Sequence, residues 1–270
     1  MRATILLAAL LLSPAAVRAD PPAAAITATY TVYAAGLTTA HLQAELTLSP
    51  DGYVIRLGFH TAGLYGAFMH SESSTLAQGA WRGEDAAPFH FAGSGRVQGE
   101  LRQTVIDYQA GDPQIRVLVP PNEAERDPVP PAMERNTVDT LSAMALLVKR
   151  VRDTGRCEAH AVTFDGRRLI DIAAHTAGVE TVAPSGRSPF AGPALRCDFD
   201  GRQLAGFRRG EDVAELGRPK RGAAWFAPVV PGGPPIPIRL EFPTRWFGVA
   251  TLYLTAAAAS GPPLVAKAAR

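Results

Sequence analysis

Cysteine is close to absent from this sequence: Cys157 and Cys197 are the only two in 270 residues. Neither belongs to a CxxC or CxxH pair, and zinc requires four ligands, or three and a water, so these thiols do not make a metal site by themselves. A surplus of charge is missing as well. Of the 27 lysines and arginines, Arg2 and Arg18 fall before residue 20, and the remainder balance the 25 aspartates and glutamates. Without a basic excess there is little to displace counterions from nucleic acid or to hold a polybasic segment on an anionic membrane. There is no Gly-x-Ser-x-Gly elbow, no internal repeat, and no apolar run long enough to cross a bilayer.

What is present begins with residues 1–19. Arg2 opens them, Ala3 to Leu12 form a short apolar run, Ser13-Pro14 interrupts it, and Val17-Arg18-Ala19 places small residues where a signal peptidase reads. This pattern predicts an export signal cleaved after Ala19 and a periplasmic product. No cysteine follows the cut, so neither a lipid anchor nor a transmembrane anchor is expected. In an oxidising compartment an even pair of cysteines favours a disulfide between Cys157 and Cys197.

Asp20 to Ala25 read as a Pro/Ala tether, and Ile26 to Val119 as short alternating segments broken by Gly, Pro and Asp, the mark of β-strands. Leu42, Ala44, Leu46 and Leu48 share one face. Pro50-Asp51-Gly52 turns the chain, with Gly52 in a left-handed conformation, and Tyr53, Ile55, Leu57 and Phe59 return. Asp165-Gly166 and Asp200-Gly201 read as two further turns, and together the three favour an antiparallel meander. Leu141, Met144, Ala145, Val148 and Val151 recur at helical spacing, predicting a helix over 137–152 capped by Thr137, with Asp139 in its first turn and Gly155 beyond its end. Strands resume from Cys157 to Thr255, and 256–270 read as a loose tail.

If Asp165-Gly166 is a two-residue turn, His160 lies opposite Asp171. Cys157, Ala159, Ala161, Ile170 and Ile172 then form an apolar face, from which the disulfide joins two hairpins. The His160–Asp171 pair could orient a catalytic histidine, but no nucleophile is nominated, so the expected role is structural. Gly93-Ser94-Gly95 with Gly99 has the wrong spacing for a dinucleotide loop and reads as a turn and bulge. His60 and His70 flank Thr61 to Met69, which would let them meet across a loop, but they lack a third metal ligand. Tyr30, Tyr33, Tyr65, Phe68, Trp225 and Trp246 are core aromatics or cavity lining.

Several segments occur in a familiar order: Tyr30 to Gly36, Ser74-Thr75 with Gly79, Val138-Asp139-Thr140-Leu141-Ser142, Phe164-Asp165-Gly166-Arg167-Arg168, Cys197 with Gly206, and Ile236-Pro237-Ile238-Arg239. Together they resemble the exported bacterial proteins grouped as domain of unknown function 3108. The resemblance implies a periplasmic β-rich domain and transfers no catalytic residue. The expected fold is mainly β, a single antiparallel domain over 26–255. It would form a strongly curved sheet or partly open β-barrel with one packed helix. The expected function is non-enzymatic binding of an apolar or lipid-like ligand, or of an envelope component, with no cofactor and no metal. The alternatives are a scaffolding module acting through a sheet edge and, less in keeping with the sequence, a hydrolase using His160.

Overall fold

A computed structural model describes residues 24–244 and 247–260. The expected signal at 1–19, most of the tether and the end of the tail lie outside them. The first seven strands are β1 (Ala24–Ala34), β2 (Leu37–Leu48), β3 (Gly52–Thr61), β4 (Ser71–Arg82), β5 (Asp85–Val97), β6 (Glu100–Gln109) and β7 (Asp112–Val119). The remaining six are β8 (Ala159–Phe164), β9 (Leu169–Val182), β10 (Gly192–Ala205), β11 (Lys220–Ala227), β12 (Ile236–Pro243) and β13 (Val249–Ser260). Helices α1 (Gly63–Phe68), α2 (Pro131–Glu134), α3 (Thr140–Thr154) and α4 (Val213–Leu216) interrupt them.

All thirteen strands form one antiparallel sheet in the order β7-β6-β5-β4-β3-β2-β1-β13-β12-β11-β10-β9-β8. Two meanders thus meet where β1 pairs with β13, and the sheet is not closed, because β7 and β8 remain its edges. Side chains alternate between the faces of a strand. Ile26, Ala28, Tyr30, Val32 and Ala34 of β1 are all buried and point to the concave side. There Ile26, Ala28 and Tyr30 meet Leu46, Leu48 and Ile55 from one meander, Ala224, Phe226, Ile238 and Leu254 from the other, and Ala145, Val148 and Val151 of α3, while Val32 and Ala34 pack with Ala40 and Ala250. Each large apolar side chain fully buried in this way contributes about 1.5–3 kcal/mol. A second cluster, with Phe91, Ile106, Phe164 and Leu169, fills the interior beneath the sheet edges.

The gap between β7 and β8 is laced by the connection around residues 120–139. Val138 makes a short parallel bridge to Thr163 along the outer edge of β8. Asn122 Nδ2 donates to the Gly166 carbonyl at 2.9 Å, and Arg167 Nη2 donates to that of Val119 at 2.7 Å. Arg126 Nη1 donates to the Gly206 carbonyl at 2.9 Å. Arg102 forks onto Glu125 at 2.9 and 2.5 Å, a charge-assisted geometry.

The helix lies where its period places it, two to three residues further along than expected, with a different cap. Asp139, not Thr137, is the N-cap: its Oδ1 accepts from Ser142 N–H at 2.9 Å, while Thr137 Oγ1 donates to the Glu134 carbonyl. Gly155 closes the helix at φ 66°, the left-handed conformation glycine adopts without penalty. Gly52 is not left-handed. A Cβ there would lie 2.3 Å from the Gly79 carbonyl oxygen, so it is the close approach of β3 and β4 that demands glycine.

Asp200-Gly201 is not a turn. It lies inside β10, paired with Ala173 and Ile172 on one side and Arg221 and Lys220 on the other, and two flanking strands outweigh local turn preference. Asp165-Gly166 does turn, but as part of a four-residue connection that shifts the expected register by two. Phe164 pairs with Leu169 and Val162 with Asp171. Asp165 Oδ1 accepts from the N–H groups of both Arg167 and Arg168, which builds the longer turn. A two-residue shift keeps each side chain on its face, so Ala159, Ala161 and Ile172 still point inward. At the margins, Ala24 and Ala25 belong to β1, and Ala256 to Ser260 continue β13 by pairing with β1; neither stretch is tether or tail.

Candidate functional site

Native interiors leave few voids larger than a water molecule, so unfilled apolar space inside the sheet calls for explanation. One cavity, of about 210 Å³, lies between α3 and strands β8 to β12. Helix α3 turns Thr140, Ala143, Met144 and Leu147 toward it, and the sheet offers Ala159, Ala161, Ile172, Ala174, Phe199, Ala224, Phe226 and Leu240. The cause is in the sequence: five of these positions are alanine, so helix and sheet stand apart without side chains long enough to meet. Polar atoms hardly contribute to its wall, and a cavity of that kind does not hold water well.

A second hollow, of about 310 Å³, occupies the far end of the same concave face. Val32, Ala34, Ala40, Leu42, Phe59, Phe242, Ala250 and Leu252 form its floor. Leu240 lines the first cavity and Phe242 the second, two residues apart on one face of β12, so the two spaces are neighbours along the interior. Over the rim of the second stand Tyr65 of α1 and Phe247 of the β12–β13 turn, edge to face with ring centres 5.7 Å apart.

A buried polar cluster lies at the start of α3. Asp139 is fully buried, and its carboxylate accepts from both the N–H and the hydroxyl of Ser142. Burial pushes its carboxyl above the ordinary range, against the lowering effect of those hydrogen bonds. The buried phenols of Tyr53 and Tyr108 are pushed up by desolvation. A Cβ at Gly79 would stand 2.3 Å from the Tyr53 hydroxyl, so glycine makes room for that ring. These groups hold the helix in the core and open onto neither hollow.

His160 Nε2 and Asp171 Oδ1 lie 2.7 Å apart, with Arg202 Nη2 3.7 Å from the other carboxylate oxygen. The register shift makes the pair diagonal instead of directly opposite. The imidazole is largely exposed, at the lip of a groove of about 820 Å³ with mixed polar and apolar walls, and His160 lines the apolar cavity as well, as do Leu146, Ala159, Ala161 and Ala174. Thr137 is the single side-chain hydroxyl lining this groove, and it is committed to the Glu134 carbonyl.

Cys157 and Cys197 form a disulfide with Cα atoms 5.6 Å apart. Both are fully buried in the cluster that contains α3, and Cys157 N–H donates to Thr176 Oγ1. His60 faces His41 across β2 and β3, ring centres 5.4 Å apart, while His70 borders the same outer groove. Among the described residues, no three His, Cys, Asp or Glu side chains are placed to hold a metal ion. Of the five described aromatics among those singled out in the sequence, only Tyr65 lines either hollow. Tyr30 is core. Tyr33 lies against Tyr253 and Arg187, and Trp225 is covered by Arg196 and Arg239 and donates to Glu180. Phe68 is exposed, and Trp246 lies outside the described residues. Gly93 and Gly95 lie within β5, and Gly99 turns the chain into β6 at φ 83°.

A family model described as "Protein of unknown function (DUF3108)" matches residues 29–255. The chain belongs to the DUF3108 family. In this DUF3108 protein the segments that carry the resemblance are structural joints. Val138 to Ser142 bridge β8 and cap α3, and Asp165 to Arg168 form the turn that meets β7. Gly206, at φ 74°, would place a Cβ 2.0 Å from the Arg167 carbonyl oxygen, so the turn fits only against glycine. Comparison with curated proteins finds no match. Among solved structures, the chain is similar to a β-barrel-like protein of domain of unknown function DUF1849 from Brucella abortus. The TM-score is 0.52 and the identity 13%, covering 89% of this chain and 99% of that one. At that identity the likeness concerns the fold alone. The cavities could be found from sequence only through the alanines of α3, β8 and β9, which otherwise read as ordinary small core residues.

Proposed function

We propose that this DUF3108 protein is a non-enzymatic periplasmic binding protein that holds an apolar or lipid-like ligand on the concave face of its sheet. The observation that carries this reading is the pair of neighbouring apolar hollows, about 210 and 310 Å³, on the concave face of the sheet. An apolar cavity with few polar partners gains by accepting an apolar guest, because the guest restores dispersion contacts that the walls lack. The export pattern of residues 1–19 supports the periplasmic address. Catalysis has no part in this reading.

The test is to purify the protein from periplasm, record native mass spectra, and extract the sample with organic solvent. A retained apolar molecule, displaced when Ala161→Leu narrows the cavity, is the expected result. A ligand-free protein that also fails to take up a fluorescent fatty-acid probe would sink the proposal.

A further inference from the structure

Strand β8 is a free edge of the sheet, and its outward backbone is only partly paired. In an antiparallel pair, alternate residues bond the neighbouring strand, and those between turn their N–H and C=O the other way. The bridge to Val138 shows which residues of β8 turn outward. The Val162 carbonyl accepts from Val138 N–H at 3.1 Å, and Phe164 N–H donates to the Val138 carbonyl at 2.8 Å. The register with β9 runs unbroken from Ala159 to Phe164, so His160 turns outward as well.

Continued two residues further back, this parallel pairing would set Asn136 N–H on the His160 carbonyl and the Asn136 carbonyl on Val162 N–H. The chain does not continue along the edge. Asn136 has a φ of 56°, which is left-handed and swings residues before Thr137 away from β8. Among the described residues, the His160 carbonyl and Val162 N–H have no protein partner. Both open onto the groove of about 820 Å³, whose walls include Asn136, His160 and Val162.

A strand edge of this kind is met by an N–H and a C=O on either side of one α-carbon, as an extended peptide supplies them. Apolar space adjoins it directly, because Ala159, His160 and Ala161 line both the groove and the cavity beneath α3. Charge selects no other head. Arg82 and Arg150 in the groove are balanced by Asp85 and Glu158, and His160 and His175 already lie beside Asp171 and Asp200.

We propose that the ligand is an N-acylated amino acid. Its acyl chain lies in the apolar cavity, its N–H donates to the His160 carbonyl, and its C=O accepts from Val162 N–H. This rests on the binding function proposed above and names the class of ligand that the same site takes.

The experiment is calorimetric titration of the purified protein with three probes: N-octanoylalanine methylamide, its ester analogue with oxygen in place of the acylated N–H, and octanoic acid. The ester should bind roughly tenfold more weakly than the amide, because the His160 carbonyl loses its donor. Hydrogen exchange at the Val162 amide should slow when the amide probe binds. Val162→Pro removes that N–H at an edge position where proline is tolerated, and should weaken the amide probe by a similar factor, with circular dichroism checking the fold. An ester that binds as tightly as the amide, or a Val162 amide that exchanges alike with and without the probe, overturns the proposal. If octanoic acid and the ester bind in that case, apolar binding stands and the edge contact alone falls. If none of the three binds, both readings fall together.

Discussion

The two ends of the concave face solve the same packing problem differently. At one end α3 inserts Ala145, Val148 and Val151 between the meanders, and Cys157–Cys197 fastens the strands beneath it. At the other, none of the described elements enters the sheet, and α1 covers the opening only at its lip, leaving Leu64 and Phe68 in water. The difference teaches that this sheet is too wide to fill itself. Where α3 presents Val148 and Val151 there is core, and where it presents Ala143, or runs out altogether, there is space.

The comparison breaks most sharply at the disulfide. Replacing both Cys157 and Cys197 by alanine should cost about 2–5 kcal/mol in urea unfolding, and reducing agent should lower the stability of the parent protein but not of the variant. Next comes the cap. Asp139→Ala removes the acceptor of Ser142 N–H in the core, and a loss of about 1–2 kcal/mol is expected.

Asp139 also sets a pH dependence. Its carboxyl is raised in the folded state, so the folded protein holds this proton more tightly than the unfolded chain. Its contribution is therefore most favourable below the ordinary carboxylate range and declines as pH rises toward the raised value. Asp139→Asn keeps a cap and should remove that decline, measured by denaturation across the acidic range. Smaller still, Ala161→Leu enters free space, so stability should shift by less than about 1.5 kcal/mol. On the binding function proposed above, the ligand and not the fold should be lost. At the open end, Phe68→Ser should leave the melting curve nearly unmoved, within about 0.5 kcal/mol; a large loss there would mean that the lip is core after all.

The fold class was legible because strand alternation and one amphipathic helix are local signals, and the inward faces of β2 and β3 follow from period two alone. Details that depend on neighbours were not. Asp200-Gly201 has the chemistry of a turn, and nothing near it in sequence says that β9 and β11 will flank it. Asp139 and Thr137 are both acceptable caps, and the choice is made by the bridge from Val138 to Thr163. The hollows were the least legible, since a cavity is a mismatch between distant surfaces. Ala143, Ala161 and Ala224 carry no sign that they face one another across a gap.

The pairing of β1 with β13 reaches further than architecture. Ala25 lies opposite Ser260, so the central seam joins the earliest described strand to the latest. During folding each meander can zip from hairpin to hairpin, and the disulfide, confined to the later one, can form within it. The seam itself must wait for β13, which makes it a contact of very high sequence separation and a slow step in folding. Until then β1 emerges with a bare edge exposed to neighbouring chains, and the protein depends on its last strand to conceal its first.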